Sequence, residues 1–121
     1  MKLYSRRVSR RTGATIRSVL EGVESLIRER GAEPGFPAQS SRNHVAAHYC
    51  SSPEDEQVYE EGDCVKVDIG VHVDGYIADT ATTVDLSTDG RWTPLIKASS
   101  DALAAAIDAV QGTTTVSGNA P

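Results

Sequence analysis

Two aspartates, Asp68 and Asp79, flank the dipeptide Asp74-Gly75, a strong signal for a two-residue hairpin turn. With that turn, the register pairs Gly70 with Asp79 and Asp68 with Ala81, and opposed residues share one face of the sheet. The two aspartates are then diagonal neighbours, about 5–8 Å apart at the backbone. We therefore expect the hairpin to bring both carboxylates to the same place.

Carboxylates held this close repel each other unless something offsets their charge. A divalent cation does so, because carboxylate oxygens bind such ions at about 2.0–2.2 Å, and shared carboxylates can bridge two ions about 3.5–4 Å apart. Protonation of one carboxylate is the other physical solution. Two ordinary solvent-facing hairpin residues are the simplest interpretation of the spacing alone. Gly70 and Ala81 are expected to leave open space on this face.

The segment from Cys64 to Leu86 is predicted to form this hairpin. Apolar and other side chains alternate along its first half, which indicates a strand; the apolar positions are Val65, Val67, Ile69, Val71 and Val73. The second strand is predicted from Tyr76 to about Asp85. A three-residue loop in place of the Asp74-Gly75 turn would put the aspartates on opposite faces.

A helix is predicted before the hairpin. Apolar residues recur at helical spacing from Ile16 to Ile27, with charged residues between them. Thr12 or Thr15 could cap its first turn, and Gly31 follows its last turn, where a left-handed residue is common.

A second helix is predicted to begin at Thr93-Pro94 and to close at Gly112. Its apolar stripe consists of Ile96, Leu103, Ile107 and Val110. The predicted fold class is therefore α+β, with an antiparallel hairpin sheet backed by two helices.

Composition and charge restrict the classes of function. A chain of 121 residues is one domain. Residues 1–31 carry eight Lys or Arg against three Asp or Glu; this basic end could lie close to the ribosome, but a solvated helix face accounts for it, and no specific nucleic-acid partner is expected. Cys50 and Cys64 form no disulfide framework. Without a secretory signal or a membrane-spanning run, we expect a cytoplasmic protein with no membrane partner.

The motifs around these residues resemble those of the type II methionine aminopeptidases, a family of pita-bread metallopeptidases. The strongest similarity lies in residues 36–49, read as Phe36-Pro37-Ala38-Gln39-Ser40-Ser41-Arg42-Asn43-His44-Val45-Ala46-Ala47-His48-Tyr49, and in residues 66–80. Asp68 follows His48 by 20 residues, and Asp79 lies 11 further on. A plain pair of hairpin aspartates also fits prolidases, whereas Phe36-Pro37 and Ala46-Ala47-His48-Tyr49 narrow the resemblance to type II.

The resemblance implies a role for each matching residue. Asp68 and Asp79 correspond to the first ligands of two divalent metal ions (Co, Mn, Fe or Zn), with Asp79 contacting both. His48 corresponds to the catalytic histidine that also binds substrate, through the scissile amide. Phe36 corresponds to a wall of the substrate-binding pocket for methionine. The implied reaction is metal-dependent removal of the initiator methionine from the N-terminus of a nascent polypeptide.

Other interpretations stay open at this point. From the residues alone, His48 could be a packed core histidine and Phe36 a plain core residue. His44 and His48 could form a zinc pair on a helix, although the glutamate of an H-E-x-x-H motif is missing. For the chain as a whole, a non-catalytic pita-bread module that binds a peptide or partner is one alternative, and a prolidase-like dipeptidase is another.

The family pattern has five metal ligands, two aspartates followed by a histidine and two glutamates. No histidine follows His72 and no glutamate follows Glu61 in this sequence. We expect a partial pita-bread fold, with residues 13–112 forming the N-terminal half of the catalytic domain, a disordered or truncated start at 1–12 and a disordered tail at 113–121. An incomplete, inactive fragment is therefore expected, whose exposed sheet edge favours non-specific self-association.

Overall fold

A computed structural model of the chain describes residues 12–110. The elements run in the order α1 (Ile16–Glu29), β1 (Glu33–Pro34), β2 (Gln39–Arg42), β3 (Cys64–Val73), β4 (Tyr76–Asp85) and α2 (Thr93–Ala109). The predicted α+β class, an antiparallel sheet with two helices, is confirmed. Apart from Thr12, the start predicted for residues 1–12 lies outside the described residues, as does the tail predicted for 113–121.

Strand β3 is the centre of a four-stranded antiparallel sheet. Strand β4 pairs with all ten residues of β3 along one edge. Along the other edge, β1 pairs near the end of β3, and β2 pairs with residues 65–68, which places Gln39 opposite Asp68. Strand β3 is therefore hydrogen-bonded on both edges, whereas β3 is the only strand that pairs with β4 within residues 12–110.

The turn between β3 and β4 is the predicted two-residue turn. Asp74 has φ 51° and Gly75 has φ 84°, and two left-handed residues in succession define a type I′ turn. This turn sets the register that pairs Gly70 with Asp79. Asp68 therefore lies on the same face of the hairpin as Asp79, as the sequence predicts.

Helix α1 packs its apolar stripe against the opposite face of the sheet. Of the two candidate caps, Thr15 is the N-cap, because its side chain accepts a hydrogen bond from the Ser18 amide at 3.2 Å. Gly31, with φ 80°, follows the helix as predicted. The buried cluster contains Ile16, Val19, Leu20, Val23 and Ile27 of α1 together with Val65, Val67 and Ile69 of β3 and Tyr59, Val84 and Leu86. The core thus takes Val65, Val67 and Ile69 of β3, with Val71 partly buried against it, and the even-numbered side chains, including Asp68, face away from it.

Helix α2 begins at Thr93 with Pro94 in its first turn, as predicted. None of its residues is buried, and the stripe residues Leu103 and Ile107 are 61% and 62% exposed. The helix contacts β4 but leaves its apolar side uncovered within the described part of the chain. Neither helix of that part has the length and apolar character that crossing a bilayer requires.

Candidate metal centre

The carboxyl groups of Asp68 and Asp79 meet on the face of the hairpin that points away from α1. The register makes them diagonal neighbours on that face. Asp68 is half-buried and Asp79 is exposed. Burial and the charge of Asp79 together raise the pKa of Asp68 above its ordinary value, and His48 is close enough to lower it in part. The hairpin therefore holds two negative groups together at a cost that a bound cation would remove.

Two buried oxygen atoms at this centre have no hydrogen-bond partner among the described residues. One is Oδ1 of Asp68, and the other is Oε1 of Gln39, directly opposite on β2. An unpaired buried polar group costs about 1–3 kcal/mol, so each is an acceptor in need of a cation or a donor. Within residues 12–110, no three His, Cys, Asp or Glu side chains group as a metal site. The carboxylate pair therefore fits a divalent cation as part of a ligand set.

The ring of Phe36 lies over Gly70, on the same face as the carboxylates. A β-carbon on Gly70 would lie 2.2 Å from Cε1 of this ring and 2.5 Å from its Cδ1, well inside van der Waals contact. The preceding residue is tied to the same place, because the Gly35 amide donates to the Gly70 carbonyl at 2.9 Å. The expectation of open space at Gly70 was wrong, since an aromatic ring fills it.

His48 lies in the loop between β2 and β3 and is exposed. Its φ of 66° is left-handed, which is uncommon for a histidine. The next residue, Tyr49, is tied to β2: the Ser40 amide donates to its carbonyl at 3.0 Å, and its amide donates to Ser41 Oγ at 3.2 Å. These bonds hold the loop beside the strand that faces Asp68. No helix spans residues 44–48, so His44 and His48 do not form a helical zinc pair.

The other end of this loop is fixed by a buried ionic network centred on Asp63. Asn43 Nδ2 donates to Asp63 Oδ1 at 2.8 Å, and Arg42 Nη1 donates to Asp63 Oδ2 at 3.0 Å. Asn43 Oδ1 also accepts from the Cys64 amide at 2.9 Å, at the start of β3. Burial raises the pKa of Asp63, but hydrogen bonds from the Glu60 amide, Asn43 and Arg42 outweigh it and leave the pKa below its ordinary value. Sequence reasoning missed this network, whose members are distant in the chain.

Comparison with known proteins places the chain in a family. Residues 4–118 match the model of metallopeptidase family M24, and the chain belongs to that family, whose members use divalent metal. Its sequence is 50% identical over 105 residues to the methionine aminopeptidase of Archaeoglobus fulgidus and 52% identical over 91 residues to that of Methanocaldococcus jannaschii. These alignments cover 87% and 75% of this chain but 35% and 30% of the relatives. The chain thus spans about a third of their length.

The fold gives the same result. The crystal structure of a methionine aminopeptidase from Thermotoga maritima matches with a TM-score of 0.76 and 27% sequence identity. The match covers 90% of this chain and 47% of that protein. The predicted resemblance to methionine aminopeptidases and the partial pita-bread fold are therefore confirmed. The roles of Asp68, Asp79, His48 and Phe36 remain predictions.

Proposed function

We propose that this chain carries part of the active centre of a methionine aminopeptidase, which removes the initiator methionine from nascent polypeptides by metal-dependent hydrolysis. The observation that carries the proposal is the placement of Asp68 and Asp79 on one face of the hairpin, where a buried oxygen of Asp68 lacks a hydrogen-bond partner among residues 12–110. The relatives at about half sequence identity are named methionine aminopeptidases, which favours this reaction over a prolidase-like one.

In this proposal the carboxylates of Asp68 and Asp79 would hold two divalent ions (Co, Mn, Fe or Zn). Bound ions would supply Lewis-acid polarisation of the scissile carbonyl and neutralise the charge between the carboxylates. His48 binds the scissile amide of the substrate, which its position near Asp68 supports. Phe36 forms a wall of the pocket for the methionine side chain, which its place over Gly70, beside the carboxylates, supports.

We infer that the 121-residue chain is inactive by itself. Two carboxylates without further charged ligands bind metal weakly, and the described residues bring no third such ligand to them. The sequence has no histidine after His72 and no glutamate after Glu61, where the family pattern has three more ligands. A partly built site of this kind is expected to bind cations without supporting turnover.

The same proposal extends to the surroundings of the protein. We propose that the aminopeptidase works in the cytoplasm, close to the ribosome, on the emerging N-terminus of a nascent chain. Its exposed hairpin end, where Tyr76 is 85% and Ile77 is 65% exposed, together with the edge of β4 that pairs with no strand within residues 12–110, favours non-specific self-association. Sedimentation of the chain at several concentrations would measure that association.

The metal site can be tested by titrating Mn(II) into the ¹⁵N-labelled chain. Paramagnetic broadening is expected at the amides around Asp68 and Asp79 and should be lost in Asp79→Ala. Asp101→Ala is the matched control, because this exposed aspartate lies on α2 and pairs with Lys97. Equal broadening in wild type and Asp79→Ala would refute the metal site.

Activity is tested separately with the tripeptide Met-Ala-Ser and added Mn(II) or Co(II). We expect the purified chain to release methionine at the background rate. Metal-dependent release that disappears in Asp79→Ala would show that the inferred inactivity is wrong while supporting the proposed reaction.

A further inference from the structure

A third polar side chain faces the candidate centre from β2. Gln39 is the direct cross-strand partner of Asp68, and cross-strand partners project from the same face of a sheet. The buried atoms Gln39 Oε1 and Asp68 Oδ1 both lack a hydrogen-bond partner among the described residues. The other two such atoms, Arg17 Nε and Ser51 Oγ, belong to residues that line a separate pocket beside α1. The two unpaired acceptors at the centre are therefore neighbours.

The chemistry of these two atoms restricts what can satisfy them. When Asp68 is ionised, its carboxylate oxygen and the amide oxygen of Gln39 are both acceptors, so neither can pair with the other. Both present negative charge or the negative end of a dipole to the same space, next to Asp79. A cation, or a water bound to that cation, satisfies both at once. Side-chain carbonyl oxygens of Asn and Gln are ordinary partners of hard divalent cations.

We propose that the side-chain carbonyl of Gln39 is a third oxygen donor toward the cation held by Asp68, either directly or through a water molecule on that cation. The inference rests on the proposed function, because it requires a divalent ion at the Asp68–Asp79 pair. Gln39 adds a donor without adding negative charge, so it strengthens the hold on the ion without increasing the repulsion between the carboxylates. Because Gln39 lies on β2, the strand beside the His48 loop, its contact with the cation would also connect that strand to the metal site.

The test is Mn(II) binding to the 121-residue chain and its variants, with free Mn(II) measured by electron paramagnetic resonance. Gln39→Leu keeps the approximate volume and removes the oxygen, and it should weaken binding about tenfold, as loss of a supporting group at a metal site commonly does. Gln39→Glu supplies a charged donor and should bind Mn(II) more tightly than wild type. Gln57→Leu is the control, because Gln57 is exposed and its side chain hydrogen-bonds Arg42 and Tyr49 and neither carboxylate of the pair.

The outcomes separate this inference from the function on which it rests. If wild type binds Mn(II), Asp79→Ala does not, and both Gln39 variants bind like wild type, Gln39 has no part in the site and the proposed centre stands. If wild type and Asp79→Ala bind equally, the centre itself is refuted and the role of Gln39 with it.

A second readout is thermal stability. Without metal, Gln39→Leu should melt at a higher temperature than wild type, because an unpaired buried acceptor is gone. Its melting temperature should also rise less on addition of Mn(II). Lower metal-free stability with an unchanged gain would indicate a purely structural glutamine.

Discussion

The phenyl ring of Phe36 occupies the space that a β-carbon on Gly70 would need, with only 2.2 Å between that position and Cε1 of the ring. A glycine inside a strand often marks such a close approach. Here it lets an aromatic side chain contact the sheet, next to the position that carries Asp79. The position of the Phe36 ring beside the carboxylates therefore depends on the absence of a β-carbon at Gly70.

Gly70→Ala is expected to destabilise the fold by about 1–3 kcal/mol, the usual cost of adding a carbon to a packed site. The alanine must displace the Phe36 ring. Urea unfolding followed by circular dichroism measures the change. Gly35→Ala is the control, because a β-carbon there would have its nearest neighbours at 3.5 Å, an ordinary contact. Equal stabilities of the two variants would contradict the packing of the ring on Gly70, and Phe36→Ala should restore stability to the Gly70→Ala chain.

Asp68→Asn should stabilise the metal-free chain at neutral pH. Because burial and Asp79 raise the pKa of Asp68, the folded state holds this proton more tightly than the unfolded state. The resulting destabilisation is absent at low pH, where both states are protonated, and develops as pH rises through the ordinary aspartate value and then the raised one. Thermal melts at pH 3 and pH 7 should show a gain of a few degrees for Asp68→Asn at pH 7 alone. Added Mn(II) should raise the melting temperature of wild type and leave that of the variant unchanged. If Asp68→Asn raised the melting temperature equally at both pH values, the carboxylate charge of Asp68 would not be the cause.

Asp63→Asn should destabilise the chain at neutral pH, which is opposite to the effect expected of Asp68→Asn. Its carboxylate is buried and pairs with Arg42 at 3.0 Å, and removing one partner of a buried ion pair costs about 3–5 kcal/mol. Because the pKa of Asp63 is lowered, its contribution is fully present above the ordinary aspartate value and is lost as pH falls through the lowered value. Urea unfolding between pH 7 and pH 2 should show the gap between wild type and variant closing in acid. A gap that does not change with pH would exclude the carboxylate charge as its cause.

The left-handed backbone of His48 predicts a difference in stability between its glycine and alanine variants. A left-handed backbone costs a residue with a β-carbon about 1–2 kcal/mol and costs glycine almost nothing. His48, at φ 66°, bears this cost, so His48→Gly should be more stable than His48→Ala by about 1 kcal/mol. Chemical denaturation of the two variants measures this difference directly. If the alanine variant were equally stable, the loop would not hold position 48 in the left-handed conformation.

The parts of the fold that local signals determine could be predicted. The Asp74-Gly75 turn fixes the register of β3 and β4, and helical spacing with a Thr15 cap fixes α1. The alternation of side chains along the two hairpin strands, in this register, places Asp68 and Asp79 on the same face. These features need only neighbours along the chain, so the sequence is enough.

The remaining features depend on partners far away in the chain. Strand β2 runs from Gln39 to Arg42 without an apolar alternation, so nothing local shows that it pairs with β3 or that Gln39 faces Asp68. The ring of Phe36 over Gly70 is a contact between segments more than thirty residues apart. Helix α2 could be predicted from Thr93-Pro94, but its uncovered stripe could not, because spacing alone does not say what packs against it.

The unequal support of the two strands has a consequence for ion binding. Asp68 stands on a strand that is bonded along both edges, whereas Asp79 stands on a strand with a single strand partner within residues 12–110. In the proposed metal site, Asp68 would therefore be held more firmly than Asp79. A contact that steadies β4 from outside the site is therefore expected to strengthen the proposed ion binding, and a change that frees β4 to move is expected to weaken it.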